Sequence, residues 1–418
     1  MFKKFSALNL FLPGALSPLA RAPIVLKQVP INHSKIKVTV PLDIKQSLYH
    51  IVSQLTADYF KASEQPNQIF SPLSLWYALG VLREGASGDT LEELNQLMNL
   101  SAAFDSSKVV PHLSASLNFM EESIMTVEQE ENGILLSNGL FFDQAYVNNL
   151  RKIYWKKAAT IWNTETAAVD FTKKLRTEEI IRHWVSEKTN HFIEDYKATF
   201  DSSGTAILNI YNVLYLKDHW QKPFNPLGDQ VYNSPGGEVL VPYMGKVIED
   251  AHYFDHEKAQ VVAFPSEKGI KAWFLLPKDQ LKPIDLISHL DELLQDGDVS
   301  SVNFQAPTLD IEGDNISLKD LLQGKGYSKL FHEAQLDGMV QGLKVAVSEI
   351  KQKTKLQMDE LGFKAAAITE IGIAMRSMPT RDPISFLIHK PYLLVIEYQS
   401  LPLFIAQVTN PARDEDQV

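Results

Sequence analysis

Residues 360–377, ELGFKAAAITEIGIAMRS, are patterned as a β-strand yet sit where a long exposed loop is expected, and this constrains the chain more than any other feature. Just upstream, Ile350, Gln352, Thr354, Leu356 and Met358 alternate with Lys351, Lys353, Lys355 and Gln357, the period-2 pattern of a strand with one buried face. That strand ends at 359–362. Beyond it, Phe363, Ala365, Ala367, Thr369, Ile371 and Ile373 share one parity and Lys364, Ala366, Ile368, Glu370 and Gly372 the other, so the first set is placed to face a core. No proline interrupts 361–378, leaving each backbone N–H there able to join a sheet ladder; Pro379 and Pro383 come only after Arg376-Ser377, a basic-serine pair of the type trypsin-like enzymes cut. The chain carries a strand in reserve.

Composition narrows the classes. With 418 residues and 45% hydrophobic content the chain can bury a large core. A net charge of -11 argues against a general binder of nucleic acid or anionic membrane, which needs a basic surface. There is no cysteine, hence no disulfide and no thiol catalysis, and a large core needs no covalent staple. Enzyme motifs are absent: no GxSxG, no HExxH and no phosphate-binding loop. His252 and His256 have helical metal-ligand spacing but lie in a segment that reads as loop and strand, so no metal site is assigned. Gly324-Lys325-Gly326 reads as a turn closing a helix. No catalytic residue and no cofactor is expected.

The N-terminal extension, 1–43, begins with Lys3-Lys4, an apolar run and Ala20-Arg21-Ala22, so 1–22 has the layout of a signal peptide, with an uncleaved extension as the other reading. A secreted or extracellular location is the expectation, a cytoplasmic or otherwise exported one the alternative. The apolar run is too short to span a membrane. Leu42, Ile44, Leu48, Ile51, Val52, Leu55, Tyr59 and Phe60 predict an amphipathic helix. Thr177 is a candidate helix start, with Ile180, Ile181, Trp184 and Val185 as the apolar face. Residues 206–216 suit a buried central strand, and 392–398 with 403–408 a hairpin.

Several motifs stand in a familiar order: Asn67-Gln68-Ile69-Phe70-Ser71-Pro72-Leu73-Ser74-Leu75, then Gly85 and Gly88-Asp89-Thr90; Trp184-Val185 with Thr189-Asn190; Asn212-Val213-Leu214-Tyr215-Leu216-Lys217 with Trp220 and Pro223-Phe224; Val241-Pro242-Tyr243-Met244; Leu276-Pro277; Lys390-Pro391-Tyr392, Leu403-Phe404 and Asn410-Pro411. Together with the segment after Gly362 they resemble the serpin family over 44–411. The resemblance implies one α+β domain, with helices packed around three β-sheets and an exposed reactive-centre loop at about 360–385, followed by a tail at 412–418.

It also implies a mechanism. A trypsin-like serine protease attacks the bond Arg376-Ser377, flanked by Ile373, Ala374 and Met375, and forms an acyl-enzyme; the cleaved loop then inserts as a new central strand and traps the covalent complex. The hinge would be Glu360, Gly362, Phe363, Ala365, Ala366 and Ala367, small or flexible for quick entry. Asn67, Ser71, Ser74, Asn212, Trp220 and Gln352 would form the region where the sheet opens. A monomer is expected, with the protease as partner and neither nucleic acid nor a membrane span. Phe363 stands where the family prefers threonine or serine; its burial favours insertion by about 2 kcal/mol if a pocket exists, and overpacking costs about 1 to 3 kcal/mol if none does. Gln352 replaces a histidine that bonds the counterpart of Asn212, and Thr308 a lysine that pairs with the counterpart of Glu360. A non-inhibitory member acting as carrier, chaperone or signalling ligand is the alternative. Helix-D-type heparin activation is not expected, because 110–131 carries Glu121, Glu122, Glu128, Glu130 and Glu131 with no lysine or arginine.

Overall fold

The computed structural model describes residues 25–26, 40–117, 133–198, 200, 207–313, 316–332, 334–363 and 382–412. The first sheet runs β1 (Val25–Leu26), β4 (Thr164–Val169), β3 (Gly133–Asp143), β5 (Leu208–His219), β14 (Gly362–Phe363), β13 (Lys355–Met358) and β11 (Leu309–Glu312), with β12 (Glu349–Lys353) also paired to β5. The second runs β15 (Ile384–Leu387), β10 (Asp298–Pro307), β7 (Gly237–Asp255), β8 (Ala259–Pro265), β9 (Ile270–Pro277), β16 (Tyr392–Tyr398), β17 (Leu401–Val408) and β2 (Gln68–Phe70), with β6 (Asn225–Ser234) on β7. Two of the three expected sheets are thus joined, because the 19-residue β7 runs unbroken through both. Around the sheets lie α1 (Leu42–Ala62), α2 (Pro72–Arg83), α3 (Gly88–Leu97), α4 (Ser106–Leu117), α5 (Lys152–Ile161) and α6 (Lys174–Lys188).

The predicted strand 350–358 keeps its alternation: Ile350, Gln352, Thr354, Leu356 and Met358 are all buried. It follows β5 only part of the way. The parallel ladder runs from Glu349↔Asn209 to Lys353↔Val213. Above it the chain continues as β13, now paired with β11, while β14 occupies the place beside β5. The central sheet is therefore zipped at one end and forked at the other.

α2 is buried along its whole length, as an apolar-all-round helix must be. Ser71 caps it, its Oγ accepting from the Ser74 N–H, and Pro72 sits where a helix tolerates it. α1 buries its predicted face except Leu42, which begins the helix and is 68% exposed. α6 starts at Lys174 rather than Thr177, whose hydroxyl donates to the Asp170 carbonyl inside the first turn. Ile181, Trp184 and Val185 are buried as expected, and Ile180 packs at their margin. The hairpin turns at Gln399 and Ser400, both in the left-handed region, so β17 begins two residues earlier than expected.

Candidate functional site

The fork holds Gly362 and Phe363, two residues of the expected hinge. Gly362 pairs with His219 and Phe363 with Asp218 on β5, and Met358 of β13 pairs with Phe363 from the other side. A tight turn makes this possible: Asp359 N–H donates to the Gly362 carbonyl at 2.9 Å. The Asp359 carboxylate accepts from the N–H groups of Leu361 at 2.8 Å and Gly362 at 3.2 Å.

Trp220 secures the turn from the β5 side. Its indole N–H donates to the Asp359 carbonyl at 2.8 Å and its backbone N–H to the Leu361 carbonyl at 2.9 Å. Phe224 N–H reaches the Glu360 carbonyl at 2.9 Å. The Phe363 ring, 1% exposed, lies 4.7 Å from the Trp220 ring, which in turn meets Phe224 at 5.4 Å. A pocket for Phe363 exists and is filled. Phe363→Thr is therefore expected to lower the melting temperature, through loss of about 2 to 4 kcal/mol of ring burial; an unchanged melting temperature would show that the ring does not hold this segment in place.

Two carboxyls lie beside Gly362 and Phe363, Asp218 buried and Asp359 half-buried. Burial pushes Asp218 above the usual aspartate range, against the opposing effect of hydrogen bonds from Ser266, Lys268 N–H and His219 N–H. Burial also raises Asp359, with the neighbouring charge of Glu360 adding to it and its two backbone donors opposing it. A raised folded-state pKa means that the native chain binds this proton before the unfolded chain does, so this group's contribution to stability grows as pH falls towards the ordinary aspartate value. Asp359→Asn keeps an acceptor oxygen and removes the charge. The variant is expected to melt above the wild type at neutral pH, with the gap closing towards about pH 4; a gap independent of pH in a melting series would refute this.

The second part of the predicted site lies under the zipped half of the sheet. Gln352, in register with Asn212, does not bond to it: its amide accepts from Ser71 N–H at 2.7 Å and donates to the Ser71 carbonyl at 2.8 Å. Gln352 thereby fastens β12 to the cap of α2, where Ser71 and Ser74 hydroxyls lie 3.0 Å apart. Asn212 instead donates to Asn138 on β3, whose own amide donates to the Trp162 carbonyl at 3.4 Å. The remaining Asn212 oxygen has no hydrogen-bond partner among the described residues, a buried deficit of the kind that costs about 1 to 3 kcal/mol.

Asn67 bonds in another direction: its amide donates to the Asn410 carbonyl at 2.6 Å and accepts from Thr409 and Asn410 N–H, tying the start of β2 to the C-terminal segment. Thr308 bonds the Pro242 carbonyl through its backbone N–H. Sequence reasoning missed Asn138, Asp218 and Asp359; Asn138 was detectable as a polar residue at an inward position between Leu136 and Leu140. Ala365, Ala366, Ala367, Ile373, Ala374, Met375, Arg376 and Ser377 lie outside the described residues. Among the described residues no acidic or histidine cluster suits a metal ion, and no helix is long and apolar enough to cross a membrane.

The central sheet is thus forked, with Gly362 and Phe363 seated between β5 and β13. The family described as Serpin (serine protease inhibitor) matches residues 49–411, and the chain belongs to it. Human Serpin B7 is 27% identical over 367 residues, covering 82% of this chain and 93% of the relative. Among solved structures, Serpin48 of the insect Tenebrio molitor, described as a highly specific serpin, matches with a TM-score of 0.72 and 23% identity, covering 87% of this chain and 98% of that one. Thyroxine-binding globulin in complex with thyroxine matches with a TM-score of 0.70 and 21% identity, covering 88% and all (100%) of the two chains.

Proposed function

We propose that this serpin is a suicide inhibitor of trypsin-like serine proteases with Arg376-Ser377 as its bait bond. The observation that carries the reading is the seating of Gly362 and Phe363 between β5 and β13. The first residues of the loop already occupy the lane that a full inserted strand would extend, and the next rungs down that lane are the β5–β12 pairs that must part. Insertion would exchange one ladder for two, gaining hydrogen bonds and buried surface, and so supplies a driving force for trapping the acyl-enzyme. Arg376 suits the acidic primary pocket of a trypsin-like enzyme, and its carbonyl would be the attacked group. The action would be extracellular and by the monomer.

Purified protein titrated against trypsin tests this, read on a denaturing gel and by mass spectrometry of the released C-terminal fragment. A detergent-stable complex and a fragment beginning at Ser377 are expected. Cleavage at that bond with no complex, and no rise in melting temperature of the cleaved protein, would overturn the reading. The likeness to thyroxine-binding globulin would then favour the non-inhibitory alternative, a carrier, chaperone or signalling ligand.

A further inference from the structure

The net charge of -11 is unevenly spread. Residues 151–176 carry seven lysines and arginines, all exposed, against two acids. One of those acids, Glu165, is buried, accepting from the Trp184 indole N–H at 2.7 Å and the Lys188 ammonium at 2.6 Å. Among the described residues, the two most exposed large apolar side chains sit within this run: Ile153 at 75%, directly after Lys152, and Leu175 at 82%, between Lys174 and Arg176. Each lies in the first turn of its helix, α5 or α6, and neither belongs to that helix's buried face. Neither first turn holds an acid, and cations there oppose the helix dipole. Folding accounts for neither the charges nor the two apolar side chains.

The topology brings both helix starts to one end of the central sheet. β3 and β4 are parallel and end together at Asp143↔Val169, with α5 on the crossover between them and α6 following β4. Their outgoing loops are tied: the Asp143 carboxylate accepts from Ala145 N–H at 2.8 Å and Phe171 N–H at 3.4 Å, and the Gln144 amide donates to Asp170 at 3.2 Å. Asp170, the second acid of the run, also accepts from Thr172 N–H at 3.1 Å, so it is engaged in its own turn. Glu178 lies 3.9 Å from Lys174. On the adjoining segment, held by Arg151 N–H donating to the Met339 carbonyl, exposed Asp337 and Lys344 offset one another. α5 packs into the main core and α6 into the cluster on the opposite face, so cations flank the sheet's end on both sides. β5 runs antiparallel to β3: its Leu208 end lies at this pole, and its His219 end, which pairs with Gly362, about 36 Å away along the strand.

We infer that this pole docks on an anionic lipid surface, its lysines and arginines meeting the headgroups while Ile153 and Leu175 enter the boundary with the acyl chains. A patch that joins cations to exposed apolar side chains suits a layer whose charge overlies an apolar interior. A polysaccharide or nucleic acid would use the cations and leave both apolar side chains in water. Docking in this orientation holds the Gly362 end of the sheet away from the lipid. The inference stands apart from the inhibitor reading, which neither requires it nor follows from it.

The test is cosedimentation of the full-length protein with vesicles of phosphatidylserine and phosphatidylcholine in equal parts, beside pure phosphatidylcholine vesicles and heparin–agarose. Binding to the anionic but not the neutral vesicles is expected, weakening as salt is raised. Lys173→Gln with Lys174→Gln should weaken it about 25-fold, at about five-fold for each charge removed. Ile153→Ser with Leu175→Ser should weaken it about ten-fold. All four side chains are exposed, so both double variants should fold as the wild type does. Retention on heparin–agarose without binding to anionic vesicles overturns the inference, as does binding to neither. Equal binding to neutral vesicles also overturns it, and so does binding that the lysine pair leaves unchanged. Vesicle binding that falls with the lysine pair but not with the Ile153 and Leu175 pair would make the pole a general polyanion site and sink the lipid assignment.

Discussion

Arg376→Glu is expected to abolish inhibition of trypsin while leaving the fold and its melting temperature unchanged. The primary pocket of a trypsin-like enzyme is closed at its base by a carboxylate, and arginine meets it with a planar, permanently charged fork. Glutamate would put a second buried negative charge against the first. Disrupting a desolvated charge pair costs about 2 to 5 kcal/mol or more, and 4 kcal/mol is about a thousand-fold in rate. The association rate with trypsin should therefore fall by about that factor, with neither complex nor cleaved product on the gel over the time in which the wild type reacts fully. Inhibition that survives the substitution would mean that another bond is the bait.

The architecture was open to sequence reading wherever a single strand or helix carried its own periodicity. Ile350 to Met358 announce a half-buried strand because each residue's burial is set by its own pleat. Phe363 was legible to the same extent: it has core parity and is buried. Parity could not show what it packs on. Trp220 is far away in the chain, and only the antiparallel return of the 359–361 turn onto the end of β5 brings the rings together. The polar cluster shows the same limit more sharply. Gln352 and Ser71 are 281 residues apart, and the Gln352 amide bonds to Ser71 rather than to its register partner Asn212. Asn67 stands in the same motif as Ser71 and Ser74, yet β2 is an edge strand of the other sheet, so its amide turns to Thr409 and Asn410 instead. A motif fixes where residues lie along the chain; which of two adjacent partners each chooses is decided by strand register and by the side of the sheet it faces.

Gly362→Val is expected to turn the protein from an inhibitor into a substrate. A Cβ at this position would lie 2.0 Å from the Asp218 carbonyl oxygen and 2.7 Å from the His219 Cα, both backbone atoms of β5, so no rotamer change relieves the clash. The hinge must leave the fork. It then loses the Gly362↔His219 and Phe363↔Asp218 rungs, the hold of the Asp359 carboxylate on Gly362 N–H, and the burial of Phe363 on Trp220. The combined destabilisation should be about 3 to 5 kcal/mol, visible as a lower melting temperature. The effect on function is separable from that of Arg376→Glu by its timing. The bait remains intact, so trypsin should cleave Arg376-Ser377 at the wild-type rate; what fails is the first rung of insertion, and the acyl-enzyme then hydrolyses before the strand can enter. On a denaturing gel the complex should give way to cleaved protein and active trypsin. Gly362→Ala, with the same Cβ but less bulk, should give a mixture of the two products. A normal yield of complex from Gly362→Val would mean that insertion does not begin at this rung, and that the contact between the hinge and β5 is a feature of the resting state alone.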